Sequence, residues 1–139
     1  MSEIKVLVVD DDDGVREIIA RFLEFSDYEP IAASNGQEGL RQFAEHQPDL
    51  VISDILMPGM DGYEFCSNVR KSSDVPIILL SGQLNVEAEQ EKSKSLNIGV
   101  GAFMSKPLHL TEFLDIVANV LSGSHRNADS TPDTAPAAV

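Results

Sequence analysis

"IKVLVVDDDDGVRE", residues 4–17, sets an apolar run directly against four consecutive aspartates. Ile4 to Val9 carry one charge among six residues. That pattern suits a strand buried on both faces rather than one that alternates between core and water. The acids that follow repel one another. Two charges about 4 Å apart cost roughly 4 kcal/mol at an effective dielectric near 20. A chain that gathers them at a strand end needs a cation, a basic partner or a capping role to offset the repulsion. Asp12 and Asp13 fit the cap of a following helix; Asp10 and Asp11 are left to be explained.

Further along the chain, "PIAA" (30–33), "DLVIS" (49–53), "VPIILLS" (75–81) and "AFMS" (102–105) read as four more strands. Helical periodicity fills the gaps. Val15, Ile18, Ile19, Phe22 and Leu23 follow the i, i+3, i+4, i+7, i+8 rule. Leu40, Phe43 and Ala44 form a shorter stripe, with Asn35 and Glu38 as a capping pair. Asp61 and Glu64 repeat that signature ahead of Phe65, Cys66 and Val69, and Leu110, Phe113, Leu114, Val117 and Leu121 form the last stripe. The segment 85–97, "NVEAEQEKSKSLN", has only Val86 and Leu96 as sizeable apolar residues. A helix there is marginal, a mobile element or a face that a partner covers. Strand and helix alternate five times, which predicts an α/β sandwich on a parallel sheet. Residues 1–121 form the predicted domain; 122–139, aperiodic and rich in Ser, Pro, Ala and Asp, read as a disordered tail or linker.

Composition narrows the function. Of 139 residues, 10 are Lys or Arg and 23 are Asp or Glu, a formal charge of -13. So acidic a domain is not expected to bind nucleic acid directly, because phosphate neutralisation needs a basic patch. The single cysteine, Cys66, excludes an internal disulfide and a cysteine-rich zinc site, and is expected to pack as a small apolar residue. No apolar stretch approaches 18 residues, and "MSEIKVLVV" lacks the basic and apolar regions of a signal peptide, so a cytoplasmic protein without a membrane span is expected.

In an open parallel sheet, ligands bind beyond the carboxyl ends of the strands, where strand order reverses. Asp10 and Asp11 follow the first strand, Asp54 the third, Ser81 the fourth and Lys106 the fifth. With strand order 2-1-3-4-5, the first and third strands are neighbours and the three acids converge. Three carboxylates make a hard-oxygen site suited to Mg²⁺. A metal, a lysine and a hydroxyl around one carboxylate suit phosphoryl transfer, with Asp54 as the nucleophile. A calcium loop fails: with Gly14 at its sixth position, the first and twelfth are Val9 and Ala20, which offer no side-chain ligand.

"VLVVDD", "DILMPGMDG" (54–62), "PIILLSG" and "GAFMSKP", in this order and spacing, resemble the receiver domain of bacterial two-component response regulators, over residues 4–121. The resemblance implies a flavodoxin-like (βα)5 sandwich with a five-stranded parallel sheet of order 2-1-3-4-5. It implies that Asp54 accepts a phosphoryl group from a phosphohistidine on a sensor histidine kinase or histidine phosphotransfer protein. Asp11, Asp54 and the Leu56 carbonyl would ligate Mg²⁺ directly, Asp10 through water. Ser81 would bond the phosphoryl group and Lys106 pair with its charge. Phe103 matches the aromatic switch position, turning inward as Ser81 moves, and Lys106-Pro107 would be a cis peptide. The outcome is a population shift of the surface of helix 4, strand 5 and helix 5, read by a downstream protein target. The protein is expected to be no enzyme beyond its own phosphorylation and dephosphorylation, and a monomer or a phosphorylation-dependent dimer. A stand-alone receiver is expected, since no output domain follows Leu121.

Several positions depart from the family pattern. Ser81 stands for the commoner Thr, Gly82 for Ala, Val100-Gly101 for Ala-Asp, and His109 for an acid at the start of the last helix. None removes a group that phosphoryl transfer needs. Leu56 and Gln83 sit where the family tunes acyl-phosphate hydrolysis; apolar Leu56 is not expected to orient an attacking water, whereas Gln83 could, and a phosphorylated state lasting minutes or longer is expected. Two readings compete. "DDDGV" (11–15) fits the haloacid-dehalogenase phosphatase pattern with Asp11 as nucleophile and Asp13 as acid/base. That family needs a later acidic pair at a strand end and a substrate-covering cap, and the sequence offers neither. A pseudo-receiver acting only by protein contact conflicts with the intact Asp, Ser and Lys set.

Overall fold

The computed structural model describes residues 3–82 and 85–123. Its elements alternate: β1 (Lys5–Val9), α1 (Asp13–Phe25), β2 (Glu29–Ala33), α2 (Gly36–His46), β3 (Leu50–Asp54), α3 (Gly62–Arg70), β4 (Ile77–Ser81), α4 (Val86–Ser95), β5 (Ala102–Ser105) and α5 (Leu110–Leu121). All five strands pair in parallel, in the order β2-β1-β3-β4-β5. The fold is the expected flavodoxin-like sandwich. Among the described residues, no helix is long and apolar enough to cross a membrane.

Strand side chains alternate between two cores. Leu7, Val9, Val51, Ile77 and Leu79 face α2 and α3; Val6, Val8, Ile52, Ile78 and Leu80 face α1 and α5. β3 and β4 are buried at every position, and each such Leu or Ile contributes about 1.5–3 kcal/mol by leaving water. The edge strands β2 and β5 keep exposed positions.

The helices dock in registers that differ from the simple stripes. In α1, Ile19 and Leu23 are fully buried, whereas Ile18 is 49% exposed. Ile18 lies about 120° around the helix from the Ile19–Leu23 line, beyond what one sheet face covers. In α2, the buried positions are Gly36 and Gly39, and Ala44 is exposed. A Cβ at Gly39 would approach Phe65 to 2.9 Å and Val9 to 3.0 Å, so α2 sits too close to the sheet for any side chain there. In α5, Phe113, Val117 and Val120 are buried, and Leu114 and Leu121 are only partly so. The helix turns to pack Phe113 on Phe22 of α1, ring centroids 5.7 Å apart, and to seat Val120 over Gly101.

Three caps follow the sequence, with one change, and Asn85 adds a fourth. Asp12, Asn35, Asp61 and Asn85 each accept a backbone N–H in the first turn of α1, α2, α3 and α4. Glu38, however, reaches back past Asn35 to accept from the amide and hydroxyl of Ser34, both at 2.9 Å. His109 caps α5 with no side-chain hydrogen bond. As its composition implies, α4 buries only Ser93 and leaves Val86 exposed, with Leu96 exposed just beyond its end.

Candidate functional site

The four aspartates of the opening run have four different surroundings. Asp10 is fully buried. Its Oδ1 accepts from the Asp12 amide at 2.9 Å, and its own amide donates to the Ala33 carbonyl at 3.2 Å. Asp11 is exposed. Asp12 caps α1 through the amides of Gly14 and Val15. Asp13 is exposed in the first turn and pairs with Arg16. That exposed ion pair gives Asp13 no place in the pocket, against the acid/base role of the phosphatase reading.

Register explains which side chains meet. β1 and β3 align Val8 with Ile52 and Val9 with Ser53, so the next residues, Asp10 and Asp54, lie opposite each other. Both are in phase with the core facing α1 and α5. Lys106 is in phase with Met104 of the same core and projects from the end of β5. Carboxylate oxygens of Asp10, Asp11 and Asp54 lie within 4.8 Å of one another. The Lys106 ammonium is 3.1 Å from Asp10 Oδ2 and 3.3 Å from Asp54 Oδ2. Ser81 is buried at the end of β4 and in phase with Leu79, on the opposite face. Phe103 pairs with Leu79 in register, so Ser81 and Phe103 are diagonal neighbours on the α2–α3 side. The half-buried Phe103 ring also borders a groove between α4 and β5.

The loop after β3 packs closely on the Asp54 backbone. The Gly62 amide donates to the Ile55 carbonyl at 2.8 Å, closing the loop. A Cβ on Gly62 would lie 2.3 Å from the Asp54 carbonyl oxygen, so glycine alone allows this approach. Gly59 turns the loop at φ 77°. Leu56, within it, is 71% exposed. On the other side, the Lys106 amide donates to the Ser81 carbonyl at 2.9 Å and Lys106-Pro107 is cis, as expected. Gln83 lies outside the described residues, as do residues 124–139 of the expected tail.

The electrostatics are unbalanced. Burial, and then the negative charge of Asp10, push the Asp54 carboxyl above its ordinary value, against the opposing pull of Lys106. Burial works to lower Lys106, but contacts with Asp10 and Asp54 outweigh it and hold the ammonium above its ordinary value. One cation faces three carboxylates. Asp10 Oδ2 is buried and, beyond its ion pair with Lys106, accepts no well-aligned hydrogen bond. Buried polar atoms are rarely left so. Three oxygen donors, excess negative charge and an undersatisfied oxygen fit a hard divalent cation.

The family model described as the response regulator receiver domain matches residues 6–118. The chain belongs to the response regulator receiver domain family. A probable transcriptional regulator, ycf27, of Guillardia theta is 37% identical over 127 residues, spanning 91% of this chain and 49% of that protein. The response regulator MprA of Mycobacterium sp. (strain KMS) is 35% identical over 132 residues, 94% of this chain and 55% of that one. The receiver domain thus spans about half the length of the curated relatives it matches. The solved chemotaxis protein CheY4 of Vibrio cholerae superposes with a TM-score of 0.79 at 32% identity, covering 86% of this chain and 99% of that one.

Three contacts of this receiver domain go beyond its motifs. Arg16 binds the Asp10 carbonyl. Arg70, at the end of α3, donates to the carbonyls of Ile98, Val75 and Gly99 and ties the loops around β4 together. Tyr63 donates to the Glu89 carboxylate, pinning α4 to α3. Only the first had a signal in the sequence, a charge three residues after Asp13 on the same helix. Apart from the Arg70–Val75 bond, five positions apart, the others join residues 26 to 29 positions apart.

Proposed function

We propose that this receiver domain takes a phosphoryl group onto Asp54 from a phosphohistidine of a sensor histidine kinase or histidine phosphotransfer protein. An Asp54 carboxylate oxygen forms the new P–O bond as the P–N bond breaks. The electron pair of that bond stays on the departing imidazole. Asp10, Asp11, Asp54 and the backbone carbonyl of Leu56 would hold Mg²⁺, Asp10 through water. When bound, Mg²⁺ supplies charge neutralisation for the phosphoryl oxygens. Lys106 supplies a second positive charge at those oxygens, and Ser81 a hydroxyl donor.

The observation that carries this reading is the meeting of Asp54, 6% exposed, with two further carboxylates and one ammonium at the switch point of a parallel sheet. Phosphorylation then favours one arrangement of the β4–α4 loop through Ser81 and Phe103. The weakly anchored α4, with β5 and α5, carries the change to a downstream protein target. A monomer that dimerises on phosphorylation is compatible with that output. The acidic receiver surface makes no direct contact with nucleic acid in this scheme, and the unit works in the cytoplasm. Residues 1–121 would be the receiver and 122–139 a tail or linker. Apolar Leu56 at the rim orients no attacking water, so the phosphorylated state persists for minutes or longer.

Incubation with acetyl phosphate and Mg²⁺, read by intact mass, tests the assignment. A single phosphoryl adduct, absent in Asp54→Asn and in EDTA, is expected. An adduct that survives Asp54→Asn but not Asp11→Asn would favour the phosphatase reading. No adduct, and no NMR response to beryllofluoride, would favour a pure interaction module. Complete release of phosphate within seconds would reject the long lifetime.

A further inference from the structure

Arg16 enters the β1–α1 loop from the first turn of α1, with its side chain 19% exposed. Its Nη1 donates to the Asp10 carbonyl at 2.7 Å, and its Nη2 to Asp13 Oδ1 at 2.5 Å. It also bears on Glu38 at the start of α2. Bonds from Ser34 hold that carboxyl below its ordinary value, and the charges of Arg41 and Arg16 add to the effect. Asp10 is therefore gripped at its amide by Ala33, at Oδ1 by the Asp12 amide and at its carbonyl by Arg16. The atom left without a well-aligned hydrogen bond is Oδ2.

We propose that Arg16 is a positioning residue for the divalent cation: by holding the Asp10 carbonyl it fixes the turn that presents Asp10 and Asp11 beside Asp54. This rests on the cation reading given above. Positioning and simple electrostatics give Arg16 opposite effects on cation affinity. As a positive charge near the pocket, Arg16 repels a cation, and its removal should tighten binding. As the fixture of the turn, its removal loosens binding. Lysine keeps the charge but lacks the planar fork that reaches Asp10 and Asp13 together.

The test is an MgCl2 titration of the full chain by ¹H–¹⁵N NMR, with urea unfolding of each variant in EDTA as the stability control. Partners that orient metal ligands typically set about tenfold or more in affinity. Arg16→Ala is expected to raise the Mg²⁺ Kd about tenfold. Arg16→Lys is expected to raise it severalfold with little change in the urea midpoint. Unchanged or tighter binding by Arg16→Ala overturns the proposal, and so does wild-type affinity in Arg16→Lys. Should the alanine variant fail to fold, the lysine variant decides. A wild type that binds no Mg²⁺ at millimolar concentration overturns the cation reading itself and the role of Arg16 with it. Wild-type binding with unweakened variants overturns the role of Arg16 alone.

Discussion

Replacing Asp54 by asparagine should stabilise the metal-free protein, although it removes a carboxylate paired with a lysine. At the 4.8 Å limit, each carboxylate pair in the pocket repels by about 3.5 kcal/mol at an effective dielectric near 20. Asp54 takes part in two such pairs, about 7 kcal/mol of repulsion. Its attraction to Lys106 at 3.3 Å returns about 5 kcal/mol on the same scale. The difference favours the neutral side chain by about 2 kcal/mol. Exposed Asp11 is screened by water, which reduces the expected gain to about 1–2 kcal/mol. Urea unfolding in EDTA should show that gain, with a Tm rise of roughly 3–6 °C. Adding Mg²⁺ should reverse the order. A ligand at a hundred times its Kd stabilises by about 2.7 kcal/mol, and the variant has lost one of its donors. The pH dependence has a definite sign. Because burial and Asp10 raise the folded pKa of Asp54, its carboxylate penalises the fold fully above that value. The penalty fades as pH falls through the raised folded value and is gone below the unfolded one, so the gap between variant and wild type should close on acidification. An Asp54→Asn protein less stable than wild type by about 1 kcal/mol or more in EDTA, at neutral pH, would rule out net repulsion in the pocket. Lys106 would then suffice to neutralise the pocket.

Gly62→Ala should cost about 3 kcal/mol or more in urea unfolding, because its Cβ meets the backbone of Asp54 and Ile55 at 2.3 and 2.8 Å. Gly82→Ala, whose Cβ meets no described atom within 4 Å, should be neutral or stabilising by about 0.5 kcal/mol. Tyr63→Phe removes the hydroxyl that donates to the Glu89 carboxylate while leaving a ring for Lys92, 4.8 Å from its centroid. Amide exchange in α4 should then quicken about tenfold, the equivalent of about 1.4 kcal/mol, with a smaller change in global stability. Cys66 is fully buried and its thiol is pushed up to about 12 by burial, so it should resist a thiol reagent at pH 8 in the folded protein and react at once in denaturant.

Much of this molecule is legible in its sequence because the signals are local. The apolar runs mark all five strands to within two residues, since burial on both faces admits little else. Asp12, Asn35 and Asp61 declare three helix starts, because a short acceptor side chain reaches only its own first turn. The sparse apolar content of 85–97 announces a helix that binds its own body weakly. Even the convergence of Asp10, Asp54 and Lys106 follows once strand order is granted, because period-two alternation carries all three to the same face.

Rotation, distance and long-range partnership emerge only in the folded chain. Periodicity defines an apolar arc but not which part of it a sheet can reach, so Ile18 and Ala44 are exposed while Val120 and two glycines of α2 are buried. Gly39 appears in the sequence as an ordinary glycine and Gly62 only as the end of a motif; packing shows that a Cβ would meet Phe65 at the first and the Asp54 carbonyl oxygen at the second. Of four adjacent aspartates, Asp12 and Asp13 find local partners in α1, but the burial of Asp10 beside an exposed Asp11 is tertiary. Identical residues acquire different energies from the groups that surround them, and for Asp10 those groups come from β2, β3 and the end of β5 as well as from its neighbours in the chain.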